Sequence, residues 1–214
     1  MDPSNDPGLR TLELDAVSRQ IERRLRVRTR SVQDDQLQLR RAAVAITLFN
    51  KSESAHFLMI KRVGWGSNPG QWALPGGRMD GTETILETAM RELREETGLE
   101  SAAHDILGIL DDFPASRGIV ITPVVVRLRG IQHPRRNPAE VASLHPIPLS
   151  RLTATGVPRW KNTGDGHRLL QVPLRHDMVV HAPTGAILWQ FAEVALSGKA
   201  VRVADLEEPE FTAR

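Results

Sequence analysis

The sequence predicts a mixed α/β fold, with a sheet covered on both faces by helices, and three observations lead there. Apolar, β-branched runs recur along the chain, as in Arg41–Phe49 and the stretch Ile119–Leu128. Two stretches, Leu9–Arg30 and Ile85–Leu93, instead repeat their apolar residues at helical spacing. Strands interleaved with helices over 214 residues fit one sheet and one sizeable core.

Composition excludes more than it assigns. Hydrophobic residues make up 40% and charged residues 25%, ordinary values for a soluble domain, and a net charge of +2 points to no particular partner. No apolar run approaches the roughly 18–20 residues of a membrane span, and M-D-P-S-N-D-P-G is not a signal peptide. The absence of cysteine excludes disulfides, thiolate metal sites and a cysteine nucleophile. A cytoplasmic location without membrane contact is expected.

Taken in order, residues 1–35 form an N-terminal segment with a basic amphipathic helix, 36–200 the main domain and 201–214 an acidic tail. In the first helix Leu14, Val17, Ile21 and Leu25 form the apolar stripe, and Arg19, Arg23, Arg24, Arg26, Arg28 and Arg30 the polar side. That face either touches an anion or is solvated and paired with Glu22, Asp34 and Asp35; no aromatic residue is interleaved to stack on bases, so nucleic acid is not expected. Arg41–Phe49 and His56–Arg62 read as a hairpin, Gly64–Gly70 as a loop and Gln71–Leu74 as a short strand. A helix follows Pro75-Gly76-Gly77, with Asp80 or Thr82 as N-cap, Asp80 and Glu83 as a capping box, and Gly98 ending it. His104–Asp112 and Gly118–Arg129 are further strands, the second on an edge or bulged because of Pro123. Gln132–Pro138 and Gly156–Gly166 read as loops, Ala139–Leu152 as a short helix or strand, Leu169–Leu174 as a strand and Val179–Leu196 as the last helix.

The chemistry concentrates after the glycine turn. At about 100° per residue, Ile85, Leu86, Ala89, Met90 and Leu93 share one face, and Glu92, Glu95 and Glu96 converge beside it at i, i+3 and i+4. Three carboxylates that close repel one another. A hard cation with oxygen ligands, Mg2+ or Mn2+, removes that penalty. The bland alternative is a solvated face stabilised by ion pairs such as Glu87 with Arg91.

These residues resemble the Nudix box, G-x5-E-x7-R-E-U-x-E-E-x-G-U with U aliphatic. Gly77, Glu83, Arg91, Glu92, Leu93, Glu95, Glu96, Gly98 and Leu99 fill every fixed position. The resemblance implies an α/β/α sandwich with a mixed sheet. It also implies hydrolysis of the phosphoanhydride in a nucleoside diphosphate linked to a group X. Carried onto this chain, Glu92, Glu95, Glu96 and the carbonyl of Gly77 would hold the metal, and Arg91 would brace the glutamates. Glu83 would either bind metal or serve as a carboxylate favoured at the helix start.

Four other stretches resemble the coenzyme A diphosphatase branch of the superfamily. Leu58–Gly77 shares Leu58, Arg62, Gly70, Pro75, Gly76 and Gly77 with its upstream signature, but carries Ile60, Val63 and Leu74 where the signature has other residues, lacks its internal arginine and has a loop shorter by one. Leu110–Val126, Asn137–Leu152 and His181–Leu188 are similar to its later segments. This implies coenzyme A or a derivative as substrate, giving 4′-phosphopantetheine and adenosine 3′,5′-bisphosphate. Alternatives are ADP-ribose, a dinucleotide, a nucleoside triphosphate or capped RNA, or a non-enzymatic nucleotide sensor. Glu140 is either an extra ligand or general base, or a plain helix-start carboxylate. Arg62, Trp65, Gly76 and Gly77 are the expected substrate contacts, with Trp72 assigned to the core. Arg117, Arg135 and Arg136 are candidates for a 3′-phosphate. The expected partner is a small nucleotide diphosphate, and a homodimer is an admissible assembly.

Overall fold

Small and β-branched residues in R-R-A-A-V-A-I-T-L-F suit a strand buried on both faces, and this strand is the centre of the molecule. The computed structural model describes residues 13–33, 39–65, 69–130, 132–162, 168–206 and 208–209. In chain order the elements are α1 (Leu14–Val27), β1 (Arg40–Lys51), β2 (Ser54–Arg62), β3 (Trp72–Ala73), β4 (Gly76–Arg78) and α2 (Ile85–Thr97). Then come β5 (Ile106–Ile109), β6 (Phe113–Ala115), β7 (Ile119–Arg127), β8 (Val141–Pro148), β9 (Arg159–Asn162), β10 (Arg168–Arg175), β11 (Met178–Val180) and α3 (Thr184–Gln190), which continues as a π-helical stretch, Phe191–Leu196.

The main sheet runs β3-β2-β1-β7-β5, with β4 beside β1, β6 beside β7 and β8 beside β2. β1 and β7 are parallel, and every other pairing is antiparallel, so the sheet is mixed as expected. A second sheet has the order β11-β10-β9. Alternation along the strands splits the apolar residues between two cores. Ile46, Leu48, Phe57, Met59 and Val125 pack with α1 and α3, whereas Ala43, Ala45, Leu58, Val124 and Val126 pack with Ala89 and Leu93 of α2. Leu14, Val17, Ile21 and Leu25 bury the stripe of α1 in the first core. Each such side chain contributes about 1.5–3 kcal/mol. The basic helix is therefore a packed layer of the sandwich. Its Arg26 pairs with Glu22, while Asp34 and Asp35 lie outside the described residues.

Several sequence expectations need correction. Pro123 lies in the central strand β7, not on an edge. Its carbonyl accepts from the Leu110 N–H, and a strand residue turns both its backbone groups to the same neighbour. The missing N–H thus faces residues 110–112, where β5 has ended and β6 has not begun. The stretch Gly156–Gly166 contains β9, held by β10 and by Trp160 against Trp189. Val179–Leu196 is not one helix, because Met178–Val180 pairs with β10 and the helix starts only at Thr184. His104–Asp112 begins as a 3-10 turn and is a strand only from Ile106 to Ile109. Ala139–Leu152 resolves into β8 followed by a 3-10 turn.

Asp111 and Asp112, in the gap between β5 and β6, tie the segments that follow α1 and α3 to the sheet. Asp111 accepts from Arg28 at 2.5 and 2.6 Å, from Arg202 at 2.7 and 2.8 Å, from the Ser31 N–H and from Gln190 of α3. Asp112 accepts from Arg30, Arg41, Thr122 and the Gln33 N–H. Burial alone would raise the Asp111 carboxyl, but Arg28, Ser31 and Arg202 outweigh it and hold it at about 2. Asp112 is depressed in the same way, by Thr122, Gln33 and Arg30 acting against burial. On the C-terminal side Val203 is buried, and Glu208 accepts from the Ser116 N–H and hydroxyl, so this segment is anchored as far as it is described.

Candidate active site

The glycine turn enters the sheet as β4, with Val44 opposite Gly76 and Ala43 opposite Gly77. A Cβ on Gly76 would come within 2.7 Å of the Val44 Cα, and one on Gly77 would overlap the Glu92 carboxylate. The turn can lie against α2 only because these positions have no side chain.

α2 starts later than the sequence implied. The N-cap is Thr84, whose hydroxyl accepts from the Glu87 N–H while the Glu87 carboxylate accepts from the Thr84 N–H. Asp80 and Glu83 instead close a turn before the helix. Asp80 and Thr82 therefore lose the N-cap role because the chain is still turning there. Glu83, which precedes the helix, faces Arg91. Gly98 at φ +66° ends the helix in the left-handed conformation that glycine adopts without strain.

Arg91 organises the outer half of the acidic group. Its Nε donates to Glu83 at 2.6 Å, its Nη1 to Glu92 at 2.8 Å and Glu95 at 3.0 Å, and its Nη2 to the Arg78 carbonyl. The Arg91 contact holds the Glu83 carboxyl down at about 2. Glu96 forms the inner half. It is 1% exposed, its Oε2 accepts from the Gly76 N–H at 2.9 Å, and its Oε1 faces Arg62 at 3.4 Å. Burial pushes Glu96 up to about 7, aided by the charges of Glu92 and Glu140 and opposed by Gly76 and Arg62. Burial also raises Glu92, against the pull of Arg91.

Glu140 arrives from a distant loop. The Arg135 N–H donates to the Thr97 carbonyl and the Asn137 N–H to that of Glu96, docking the loop on the end of α2. The Val63 N–H donates to the Glu140 carbonyl and closes the other side. Arg62, Gly76, Gly77, Glu92, Glu96 and Glu140 line one cavity of about 660 Å³.

Other candidates lie elsewhere. Glu95 is half exposed, does not line the cavity and is held by Arg91. Trp65, 67% exposed, does not line the cavity; the aromatic residue that does is Trp72, with Lys61 over its ring and His145 edge-on to it. The core assignment of Trp72 is thus only half right, since it packs on the first core while presenting a side to the cavity. Arg117, Arg135 and Arg136 do not line the cavity either. Leu74, Ile119, Ile121, Pro183 and Thr184 do; all lie in stretches that resemble the coenzyme A branch, but none was singled out as a substrate contact.

Among the described residues, no three carboxylates or imidazoles already converge as the ligands of one ion. The like charges are spread onto Arg91, Arg62 and the Gly76 N–H. The donor set nonetheless fits a hard divalent cation, because it is all oxygen, partly buried, and shaped around a glycine turn that leaves no room for a side chain.

Residues 39–165, more than half of the chain, match the NUDIX domain family. The chain belongs to that family. An uncharacterized Nudix hydrolase, NudL, of Enterobacter sp. is 32% identical over 117 residues, covering 54% of this chain and 61% of that protein. The NudL of Photorhabdus laumondii is 35% identical over 112 residues, covering 52% and 60%. The chain thus spans about three fifths of the length of these relatives. The crystal structure of a NUDIX hydrolase from Nitrosomonas europaea aligns over 76% of this chain and 75% of that one, with a TM-score of 0.52 and 15% identity, and supports the Nudix fold. Among the described residues no helix is long and apolar enough to cross a membrane.

Proposed function

We propose that the protein is a divalent-metal-dependent Nudix hydrolase that cleaves the phosphoanhydride of a nucleoside diphosphate linked to X, with coenzyme A or a derivative as substrate. The observation that carries this reading is the joining of Glu92, Glu96 and Glu140, from two distant segments, with Arg62 and the Gly76-Gly77 turn around one cavity. Glu92, Glu96, Glu140 and the Gly77 carbonyl would hold Mg2+ or Mn2+, with Glu95 as a further ligand. When bound, the cation neutralises diphosphate charge and makes water more acidic.

The chain's own groups supply the rest. Arg91 fixes the Glu92 carboxylate, and the Gly76 N–H fixes Oε2 of Glu96. Oε1 of Glu96 is then the atom that takes a proton from the attacking water. Water adds to one phosphorus, the bridging P–O bond breaks, and Arg62 meets the charge that develops on the departing phosphate. Trp72 offers an aromatic face for the adenine. The coenzyme A assignment is supported by the sequence likeness through Arg62, Leu110–Val126 and Asn137–Leu152.

The test is phosphorus NMR of purified protein with Mg2+ or Mn2+ against coenzyme A, ADP-ribose, a dinucleotide, a nucleoside triphosphate and capped RNA. Coenzyme A should be cleaved fastest, to 4′-phosphopantetheine and adenosine 3′,5′-bisphosphate. ADP-ribose far ahead of coenzyme A would overturn the substrate assignment. No hydrolysis of any compound would overturn the enzyme reading in favour of a sensor.

A further inference from the structure

Three arginines line the cavity, and two of them are already engaged. Arg91 donates to Glu83, Glu92 and Glu95, and Arg62 faces Glu96. Arg78 is exposed, and its guanidinium makes no hydrogen bond or ion pair among the described residues. Asp80, two residues further on, also lines the cavity and does not pair with it.

The strand sets the direction of Arg78. Successive residues of a strand point to opposite faces, and residues directly opposite on paired strands share a face. A Cβ on Gly77 would come within 2.2 Å of Glu92 Oε1, so Gly77 faces α2 and Arg78 faces away from it. Arg78 lies opposite Ala42, and Ala42 lies opposite Ile121 of β7. Trp72, Val44 and Ile121 pack against the first core, on the side of the sheet turned away from α2. The Arg78 backbone is fixed, since its carbonyl accepts from Arg91 at 3.0 Å and the Met79 N–H donates to the Arg41 carbonyl at 3.0 Å. Arg40 adds positive charge on the same face but donates to the Arg117 carbonyl and does not line the cavity.

The cavity thus has two sides. The α2 side carries the carboxylates that would hold the cation and, with it, the diphosphate. The other side offers the Trp72 ring, an apolar floor and an arginine without a partner among the described residues. Trp72 and Arg78 are six residues apart, at most about 20 Å between Cα atoms before the reach of two long side chains is subtracted. We infer that Arg78 is a specificity-determining residue that binds a phosphate monoester carried by the nucleoside, outside the diphosphate. Such a group carries nearly two charges at neutral pH, and a guanidinium meets two of its oxygens at once. With coenzyme A as substrate it is the 3′-phosphate, a role that Arg117, Arg135 and Arg136 do not fill from outside the cavity. This rests on the diphosphate reading above and names the feature by which the substrate is recognised.

Coenzyme A and dephospho-coenzyme A test it, because they share the diphosphate and differ only in the 3′-phosphate. Wild-type kcat/KM should favour coenzyme A by about tenfold, the size of a part-exposed charge-assisted contact. Arg78→Met should bring that ratio close to one, and Arg78→Lys should keep part of it. A loss shared equally by both substrates, or an undiminished ratio, would overturn the role of Arg78 and leave the hydrolase standing. Binding is read separately, by calorimetry with Mg2+, using adenosine 3′,5′-bisphosphate and adenosine 5′-monophosphate. The bisphosphate should bind the wild type about tenfold more tightly, and Arg78→Met should erase the difference. Equal affinity or no binding in the wild type, or a preference that survives in Arg78→Met, would overturn the role of Arg78. An Arg78-dependent preference for the bisphosphate without hydrolysis of coenzyme A would keep that role and overturn coenzyme A as substrate.

Discussion

Asp111, Asp112 and Glu96 are equally buried, at 2%, 0% and 1% exposure, yet their surroundings differ in kind. Each aspartate is surrounded by arginines, hydroxyls and N–H groups until its carboxyl is depressed. Glu96 has one N–H and one long contact to Arg62, beside two further glutamates, and its carboxyl is raised. The first cluster has its counter-charges built into the chain and fastens α1, α3 and the C-terminal segment to the sheet. The second is short of positive charge, which is the condition for taking a cation. Saturated carboxylates contribute to folding, and undersaturated ones are held ready for chemistry.

Substitutions should therefore separate the clusters. The largest effect is expected at the glutamates: Glu95→Gln or Glu96→Gln should lower turnover by about 10²–10⁴-fold while leaving the melting temperature unchanged or higher. Near-native turnover and metal affinity in both variants would remove the assignment. Asp112→Ala should do the reverse, costing about 3–5 kcal/mol by leaving Arg30 and Arg41 without their buried partner, as read by urea unfolding. A loss below 1 kcal/mol would mean that the network is ornamental.

The dependence on pH should also differ in sign. The folded state holds Asp111 at about 2 against an ordinary 3.8, so its contribution is present above about pH 4 and lost as pH falls toward 2. Folding raises Glu96 from 4.5 to about 7, so the native state binds that proton more tightly than the unfolded chain. Its ionisation thus subtracts stability as pH rises through 4.5 to 7. Glu96→Gln should remove this descending limb from a melting curve taken without divalent ions and keep the acid limb. Persistence of the descending limb would place its origin elsewhere.

Much of the site was legible in the sequence because it is local. Gly77, Arg91, Glu92, Glu95 and Glu96 lie within one turn and one helix, where fixed spacing translates directly into geometry. The helix start was placed at Asp80 or Thr82 rather than Thr84, a boundary error made by a cap that periodicity does not reveal. The aspartate network was invisible because the partners of Asp111 are 79 to 91 residues away. Pro123 broke a strand rule harmlessly, since the neighbouring strand is interrupted where its N–H would have donated. β9 was read as loop because R-W-K-N is polar, and pairing with β10 rather than burial makes it a strand. Trp65 was put ahead of Trp72 as a substrate contact because the sequence does not reveal which one the sheet turns toward the cavity.

The smallest effect is expected at the start of α2. Thr84→Ala removes the capping box and should cost about 1 kcal/mol by thermal unfolding, with little loss of turnover, because the glutamates lie two turns further on. A large loss of turnover at unchanged stability would show that the cap positions the acidic group more directly than the helix alone does.

The most direct test of the central claim is Mn2+ binding to the wild-type protein and to Glu92→Gln and Glu96→Gln, measured by calorimetry at pH 8 where the carboxylates are ionised. Saturable binding in the wild type that weakens at least about tenfold in both variants is predicted. Equal affinity in all three proteins, or none in the wild type, would contradict the reading of these glutamates as a cation site.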